Sequence, residues 1–475
     1  MKVLDLTNFY SSTGGGVRSY LRYKMRWLPR LSIERHVLVL PSSVDQTLDQ
    51  GATRIYELAG PRVPGQPSYR ALVRPGRIWR ILRDESPDIV EVGSPYLLPP
   101  MVVPMARSLG IRCVGFLHAD YPRAYFRPWG DRLQARTGLP LGPLIGGIAE
   151  RHMRATYRAL DGTCVAVPGT LRRLERLGVP HLYHTPLGVD LEQFHPSGRS
   201  CALASELGIG GGHPWCLCVA RLSREKGVET LVAAMELARC ERPLELVLVG
   251  DGPLRPEIAR LEADRPWLHW VPQIDEPARL AALHASTDFL VAPGVAETFG
   301  LAVLEALASG CPVVGANAGA IAELLAGSEA GLLFEAGDPV DLGRALVRMV
   351  DAPRPRLSEA ARDLARGRSW ERAFKGVLGA YSDVLERRPR RATHRHHGSR
   401  ARRRNPSTRP HPGTWRGPRP PPRSGSLCAQ RLGRLDLQHV QHGRHTAESA
   451  RQHGQADAAD DRADRDPRVI GEAEG

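Results

Sequence analysis

Two carboxylates eight positions apart, Glu297 and Glu305, stand in the run Ala292-Pro-Gly-Val-Ala-Glu297-Thr-Phe-Gly-Leu-Ala-Val-Leu-Glu305-Ala-Leu-Ala-Ser-Gly-Cys-Pro-Val313. Asp288 to Val291, apolar after its first residue, reads as a buried strand. Pro293-Gly294 breaks it, and Thr298-Phe-Gly-Leu opens a run of helix formers that ends at Ser309-Gly310. Glu297 is thereby expected in a strand-to-helix loop and Glu305 about two turns into the helix. At the helical rise they are separated by roughly 12 Å along the axis, too far to share one proton or one small metal ion. Such a pair can hold two different parts of one long ligand. Between them, the unpaired N–H groups around Phe299, Gly300 and Leu301 sit where a helix start attracts phosphate, and Gly300 has no side chain to obstruct approach.

In open parallel sheets ligands bind beyond the carboxyl ends of the strands, so other loops of that kind are candidates. Asn8-Phe-Tyr-Ser-Ser-Thr-Gly14-Gly15-Gly16-Val-Arg18 follows the first strand, and three adjacent glycines let the backbone pass close to a phosphate or sugar. The fingerprint G-x-G-x-x-G is not met, because Ser19 stands where the third glycine belongs, and a ligand-free tight turn fits the loop equally well. His118 closes the run Cys113-Val-Gly-Phe-Leu117, at a strand end where a packed histidine and a ligand-facing one are both admissible. Arg221 and Lys226 follow another strand and lead into a helix, a place where two cations can meet a diphosphate. A solvated basic turn is the alternative. Against it, lysine occurs only at Lys2, Lys24, Lys226 and Lys375, every other basic residue apart from histidine being arginine. Gly250-Asp-Gly-Pro253 suits close ligand approach or plain turn chemistry.

These loops need strands behind them. Strand-like runs alternate with helical patterns at Lys2 to Leu6, His36 to Leu40, Asp88 to Val92, Ile111 to Leu117 and Gly162 to Val167. They resume at Trp215 to Ala220, Leu244 to Val249, His269 to Val271, Asp288 to Val291 and Pro312 to Gly315. Short apolar strands separated by helices predict parallel sheets covered on both faces, in two successive α/β units that divide between Phe194 and Gly212. The expected organisation is an N-terminal domain over 1–196, a second domain over 197–369, a closing helix over 370–386 and a tail over 387–475.

The 475 residues are 42% hydrophobic and 24% charged, an ordinary globular composition. The net charge of +14 is concentrated at the end: residues 387–475 hold 20 arginines against 9 acids, leaving +3 for the rest. That tail lacks Phe, Tyr, Met and Lys and is expected to be disordered. It reads as a basic arm for nucleic acid or an anionic membrane, or as an extension without selected function. The eight cysteines show neither C-x-x-C nor metal-finger spacing and several sit inside apolar strand patterns, which suggests reduced, buried thiols. The chain enters its first strand at Val3 with no charged-then-apolar leader, and no apolar stretch approaches 18 residues, so a cytoplasmic, non-spanning protein is expected. Leu139 to Ile148 is too short and too rich in Gly and Pro to span a bilayer. Val17 to Arg30 mixes Tyr20, Tyr23, Trp27 and Leu28 with cations, which fits a helix on an anionic membrane or one packed on the sheet.

Taken together, the Gly14-Gly15-Gly16 loop, Pro186-Leu-Gly-Val-Asp190-Leu-Glu-Gln-Phe-His-Pro196, Arg221 with Lys226, Gly250-Asp-Gly-Pro253 and Glu297-x7-Glu305 resemble glycosyltransferase family 4 of the GT-B superfamily, over residues 2–386. Phe116-Leu-His118-Ala-Asp-Tyr-Pro is similar to the branch with mannosyltransferases and sulfoquinovosyl-lipid synthases. The resemblance implies two Rossmann-like doubly wound parallel-sheet domains facing across a cleft. It also implies retaining, metal-independent transfer of a hexose, mannose or glucose favoured, from a GDP- or UDP-linked sugar to a hydroxyl of a lipid, glycan or small molecule. No further cofactor, metal or nucleic acid is implied. Glu297 would bind donor-sugar hydroxyls and Glu305 the ribose. Arg221 and Lys226 would hold the diphosphate, and the amides near Phe299, Gly300 and Leu301 the distal phosphate. Gly15 and Gly16 would close over the donor, with His118 facing the sugar and the acceptor. A nucleotide-sugar epimerase on the same architecture and a nucleic-acid-binding module acting through the tail are the alternatives.

Overall fold

The computed structural model of the protein describes residues 1–387 except 11–14, 64–65, 119, 123–125, 211, 296 and 298. The expected disordered tail lies outside the described residues from residue 388 onward, and so do Gly14 and Cys428.

Eight strands form the first sheet: β1 (Lys2–Leu6), β2 (Arg35–Ser42), β3 (Gln46–Gln50), β4 (Thr53–Ala59), β7 (Ile89–Val92), β8 (Arg112–Phe116), β9 (Gly162–Val165) and β10 (Leu182–His184). A separate two-stranded hairpin pairs β5 (Arg62–Val63) with β6 (Gln66–Arg70). The order in the first sheet is β10-β9-β8-β7-β1-β2-β4-β3, and every pairing is parallel except that of β3 with β4. The second sheet joins β11 (Trp215–Val219), β12 (Glu245–Val249), β13 (Leu268–Val271), β14 (Phe289–Ala292), β15 (Val313–Ala316) and β16 (Gly331–Phe334) in the order β13-β12-β11-β14-β15-β16, all parallel.

The helices before the second sheet are α1 (Gly16–Trp27), α2 (Pro75–Glu85), α3 (Leu98–Ser108), α4 (Arg127–Thr137), α5 (Leu141–Arg158) and α6 (Pro168–Arg176). Those of the second half are α7 (Ala202–Glu206), α8 (Val228–Ala238), α9 (Arg255–Asp264), α10 (Pro277–Ser286), α11 (Leu301–Ala308), α12 (Gly319–Leu325), α13 (Pro339–Val350), α14 (Arg354–Arg366) and α15 (Trp370–Glu386).

All ten strand runs read from the sequence are present, because apolar residues fill both faces of these parallel strands. Leu4 and Leu6 enter one core while Val3 enters the other, and Leu246 and Leu248 likewise face away from Val247. Six strands escaped the sequence reading: β3, β4, β10 and β16 lie toward the edges of the two large sheets, where the chain carries more polar or half-exposed residues, and β5 and β6 form the separate hairpin.

Of the two readings of Val17 to Arg30, helix α1 takes the one packed on the sheet. Tyr20, Tyr23 and Leu28 are buried beside Phe116, Trp370 and Phe374. The cations Arg18 and Arg26 form ion pairs with Asp275 and Asp190 at 3.0 and 2.9 Å. The helix packs on the sheet. The cysteines are more mixed than expected: Cys113, Cys164, Cys216, Cys218 and Cys311 are buried free thiols, whereas Cys201 and Cys240 are exposed.

Lys24 of α1 is fully buried. Its ammonium meets Asp5 of β1 at 2.7 Å and Glu91 of β7 at 3.1 Å, and donates to the Tyr381 hydroxyl of α15 at 2.7 Å. Asp5 and Glu91 are register partners on adjacent parallel strands, so their side chains share a face. His36 adds a bond to Asp5 at 2.5 Å, and Tyr381 and Tyr20 both donate to Glu91. Burial opposes ionisation of Asp5, but Lys24 and His36 outweigh it and hold that carboxyl well below its usual range. For Glu91 burial wins over Lys24, with Asp5 adding to it, and the carboxyl is pushed up to about 7. A carboxyl raised in this way contributes stability below about 4.5 that is lost as the pH rises through about 7. Lys24→Ala removes the ammonium that two buried carboxyls share and should cost about 3–5 kcal/mol in urea unfolding at neutral pH. That loss should shrink in acid as the carboxyls take protons. An equal loss at all pH values would mean that only packing was removed.

Candidate active site

The carboxyl edges of β11, β12 and β14 build one wall of the site. After β11 the chain turns through Arg221 and Ser223 into a short 3-10 turn, Arg224–Lys226, and then into α8. The turn is braced from two sides. Gly250 and Gly252, read from sequence as turn or ligand-approach residues, serve loop packing: an added Cβ would lie 2.0 Å from the Ala220 carbonyl oxygen and 2.5 Å from that of Leu222. The Leu222 N–H also donates to the Asp251 carbonyl at 3.0 Å. Gly227, at φ 69°, lets the chain pass against the loop after β14, where a Cβ would come 2.6 Å from the Pro293 carbonyl oxygen. Lys226 is thus held beside the segment that carries Glu297.

The Lys226 ammonium lies 2.5 Å from Glu297 Oε2, and the other carboxylate oxygen accepts the Gly300 N–H at 3.4 Å. Burial disfavours the Glu297 anion, yet Lys226 and the amides of Gly300 and Phe299 more than compensate and keep its carboxyl below the ordinary value. Glu297 is an anion at neutral pH. The helix begins later than the sequence pattern predicts: α11 starts at Leu301, with Gly300 at φ 67° as its cap. Two consequences follow for the expected geometry. Glu305 stands about one turn into the helix rather than two, and the amides at Phe299 and Gly300 face the Glu297 carboxylate.

Glu305 sits on the inner side of α11 with its carboxylate 3.8 Å from Nε2 of buried His284 on α10. Burial pushes the Glu305 carboxyl up to about 8, with Arg22 opposing, and pushes the His284 imidazole down to about 3. His284 is therefore neutral and supplies no counter-charge.

The other wall comes from the first sheet. His118, beyond the end of β8, is only 5% exposed and is surrounded by Phe116, Tyr20 and Phe299 at ring-centroid distances of 4.7, 5.2 and 5.5 Å. Burial pushes its imidazole down to about 3, and nearby Lys24 acts in the same direction. A neutral ring can exchange hydrogen bonds without carrying charge. Gly16 opens α1, and the Cβ position at that residue is 3.5 Å from Leu301 and 3.7 Å from Phe299; Gly15 caps the helix with open space beside it. Gly16, His118, Phe299 and Leu301 thus meet across the cleft, while Lys226, Glu297 and Gly300 form a second cluster joined to them through residues 299–301.

Arg221 reaches the N-terminal half in another way. It donates to the Tyr69 hydroxyl at 2.5 Å, with its guanidinium 5.4 Å from the centre of that ring. Tyr69 on β6, His284 and Arg22 escaped the sequence reading. Tyr69 is one aromatic in a Pro- and Gly-rich stretch, and His284 lies in an ordinary amphipathic helix pattern, so neither position carries a local signal. Among the described residues no three His, Cys, Asp or Glu side chains are grouped as a metal site.

Both halves of the chain are similar to known proteins. Residues 14–193 match the family model for glycosyltransferase family 4, and residues 213–352 match that for glycosyl transferases group 1. A GDP-mannose-dependent alpha-mannosyltransferase of Mycobacterium tuberculosis (strain CDC 1551 / Oshkosh) is 32% identical over 329 residues, covering 69% of this chain and 79% of that protein. A GDP-mannose-dependent alpha-(1-6)-phosphatidylinositol dimannoside mannosyltransferase of Mycobacterium tuberculosis (strain ATCC 25177 / H37Ra) is 29% identical over 389 residues, covering 80% of this chain and 95% of that one. Among solved structures, sucrose-phosphate synthase from Thermosynechococcus elongatus superimposes with a TM-score of 0.62 at 18% identity, over 81% of this chain and 99% of the other. Anabaena HepE in complex with UDP gives a TM-score of 0.59 at 18% identity, over 81% of this chain and 100% of the other. The two parallel-sheet domains and these likenesses lead to one conclusion: the chain belongs to the group 1 glycosyltransferases of family 4, with the GT-B fold.

Proposed function

We propose that the protein transfers mannose from GDP-mannose to a hydroxyl of a lipid-linked or glycan acceptor, with retention at the anomeric carbon and without a metal ion. The reading rests on one observation above the others, the pairing of Lys226 with Glu297 at 2.5 Å beside the start of α11. The GDP-mannose dependence of the two mycobacterial relatives supports the choice of donor.

In this mechanism breaking the anomeric C–O bond places negative charge on the departing diphosphate and positive character on the sugar ring. Lys226 and Arg221 offset the first, aided by the positive end of α11. Glu297 orients the sugar hydroxyls as an anion already charged before the donor arrives. The acceptor hydroxyl attacks the anomeric carbon on the face the diphosphate leaves, and its proton passes to the departing phosphate oxygen. The products are the mannoside and GDP. His118, neutral and at the opposite wall, hydrogen-bonds donor or acceptor hydroxyls. The close approach of Gly16 to Leu301 and the contact of Tyr69 with Arg221 bring the two halves together over the donor and exclude water. Glu305 anchors the ribose hydroxyls.

Glu297→Gln and Lys226→Ala should each lower kcat about 10²–10³-fold while the donor-free protein keeps its fold by circular dichroism. Because the two groups touch, the double variant should lose much less than the product of the single losses. Full additivity would separate the pair, and unchanged transfer would remove the proposal. A melting screen of GDP, UDP and ADP sugars should show the largest stabilisation with GDP-mannose, and transfer should persist in EDTA. Conversion of the donor sugar without acceptor would instead indicate an epimerase.

Glu305→Gln should weaken nucleotide binding about 10- to 100-fold. The raised carboxyl of Glu305 contributes stability below about 4.5 that is lost as the pH rises through about 8. The donor-free variant should therefore melt above the parent at pH 9, with the gap closing toward pH 5; the same gap at both would show that Glu305 does not titrate in this range.

A further inference from the structure

The hairpin of α4 and α5 presents apolar residues that no core receives. Helix α4 rests on the start of α5 through small residues: a Cβ at Gly130 would lie 2.8 Å from the Gly142 Cα, and the Gln134 side chain accepts the Gly142 N–H at 3.3 Å. Its described side chains enter none of the hydrophobic cores, whereas α5 is rooted farther along, where Ala149, Met153 and Tyr157 join the core of the first sheet. Beyond those roots, Trp129 is 56% exposed, Leu139 57%, and Leu144 and Ile148 58% each. Phe126, Trp129 and Leu133 recur at helical spacing on one helix, as do Leu141, Leu144, Ile145 and Ile148 on the other. Five of the twelve large apolar side chains exposed among the described residues fall between Phe126 and Ile148, too concentrated for the singly scattered kind.

Charge indicates what covers this face. From Phe126 to Arg158 the chain carries six arginines against two acids, Asp131 and Glu150, while residues 1–386 as a whole hold only +3. Glu150 is already bonded to Arg173, and Arg132, Arg136, Arg151 and Arg154 are exposed. A tryptophan and aliphatic stripes rimmed by arginines suit the boundary between lipid headgroups and acyl chains. No helix among the described residues is long and apolar enough to cross a membrane, so the fit is to its surface.

We infer that the α4–α5 hairpin is the face by which the protein rests on an anionic lipid bilayer. Its position suits a transferase with a lipid-borne acceptor. The loop after His118 leads into the hairpin, and two contacts tie that loop to α5: the Tyr121 hydroxyl lies 2.8 Å from His152 Nδ1, and Arg173 bonds both Asp120 and Glu150. The docking face therefore adjoins the wall that carries His118. This last link rests on the proposed lipid-linked acceptor; the docking itself does not.

The test is co-sedimentation of the full chain with phosphatidylcholine vesicles, with and without phosphatidylglycerol. Binding should require the anionic lipid and weaken with salt. Combining Trp129→Ser, Leu144→Ser and Ile148→Ser should lower it at least about tenfold, and Arg132→Gln with Arg136→Gln should lower it at low salt. The melting temperature and the shift caused by GDP-mannose should be unchanged in both variants. Binding retained in the variants would assign it to the arginines after residue 387 and overturn the inference. Absence of binding by the parent at low salt would do the same. A dimer in sedimentation velocity that these substitutions dissociate, without effect on vesicles, would make the face a contact between copies instead. Loss of vesicle binding with the GDP-mannose shift intact supports the docking face. Absence of that shift in the parent counts against the proposed donor and leaves the docking result standing.

Discussion

A single ammonium group buried between two neighbouring strands holds together parts of the chain that lie far apart in sequence. Lys24 draws Asp5 and Glu91 from β1 and β7, and Tyr381 from α15, into one contact set. Such a group cannot be left unpaired in a low-dielectric interior, so α1, both strands and the last described helix must be placed together. The site depends on the outcome. Helix α1 begins at Gly16, which abuts Leu301 and Phe299, and the Tyr20 ring on the same helix packs against His118. The approach to α15 is tied down as well, through the bridge between Val189 and Ser369 that leads into Trp370. The cation that organises the first sheet thus also orients one wall of the cleft.

The opposite wall is organised by loops that pack on loops. Gly227, Gly250 and Gly252 allow three strand-end turns to lie against one another, and Lys226 is delivered to Glu297 as a result. Burial then has different consequences for three groups. Glu297 remains ionised because an ammonium and backbone amides compensate its lost hydration. Glu305 has only Arg22 opposing its desolvation and is driven toward its neutral form, and His118, with a buried cation nearby, stays uncharged. A sugar-nucleotide has one part rich in hydroxyls and one highly anionic part. The site offers each of them a different electrostatic environment.

The doubly wound architecture was legible in the linear pattern because strands buried on both faces leave uninterrupted apolar runs, and all of the runs read that way except the edge strand β13 lie inside the sheets. Edge strands such as β3 and β10 carry no such run and were missed. The pairing of Glu297 with Glu305, the two cations and the strand-end histidine could be listed from residue type and position after a strand. Their partners could not. Tyr69 meets Arg221 across the cleft from 152 positions away, and no local spacing encodes that distance. The basic aromatic helix α1 and the apolar hairpin α4–α5 show the same division in reverse. Both carry apolar residues among arginines, and only the cores of the folded chain decide which apolar stripe is covered.

The sequence by itself determined two parallel α/β halves, the family and the identity of the charged groups at the strand ends, because hydrophobic periodicity and turn residues act over a few neighbours. The tertiary structure alone decided where α11 starts, which amides face Glu297, which lysine is buried and which apolar faces remain uncovered. These properties depend on desolvation and on contacts between distant segments, and both come into being only when the chain has closed on itself.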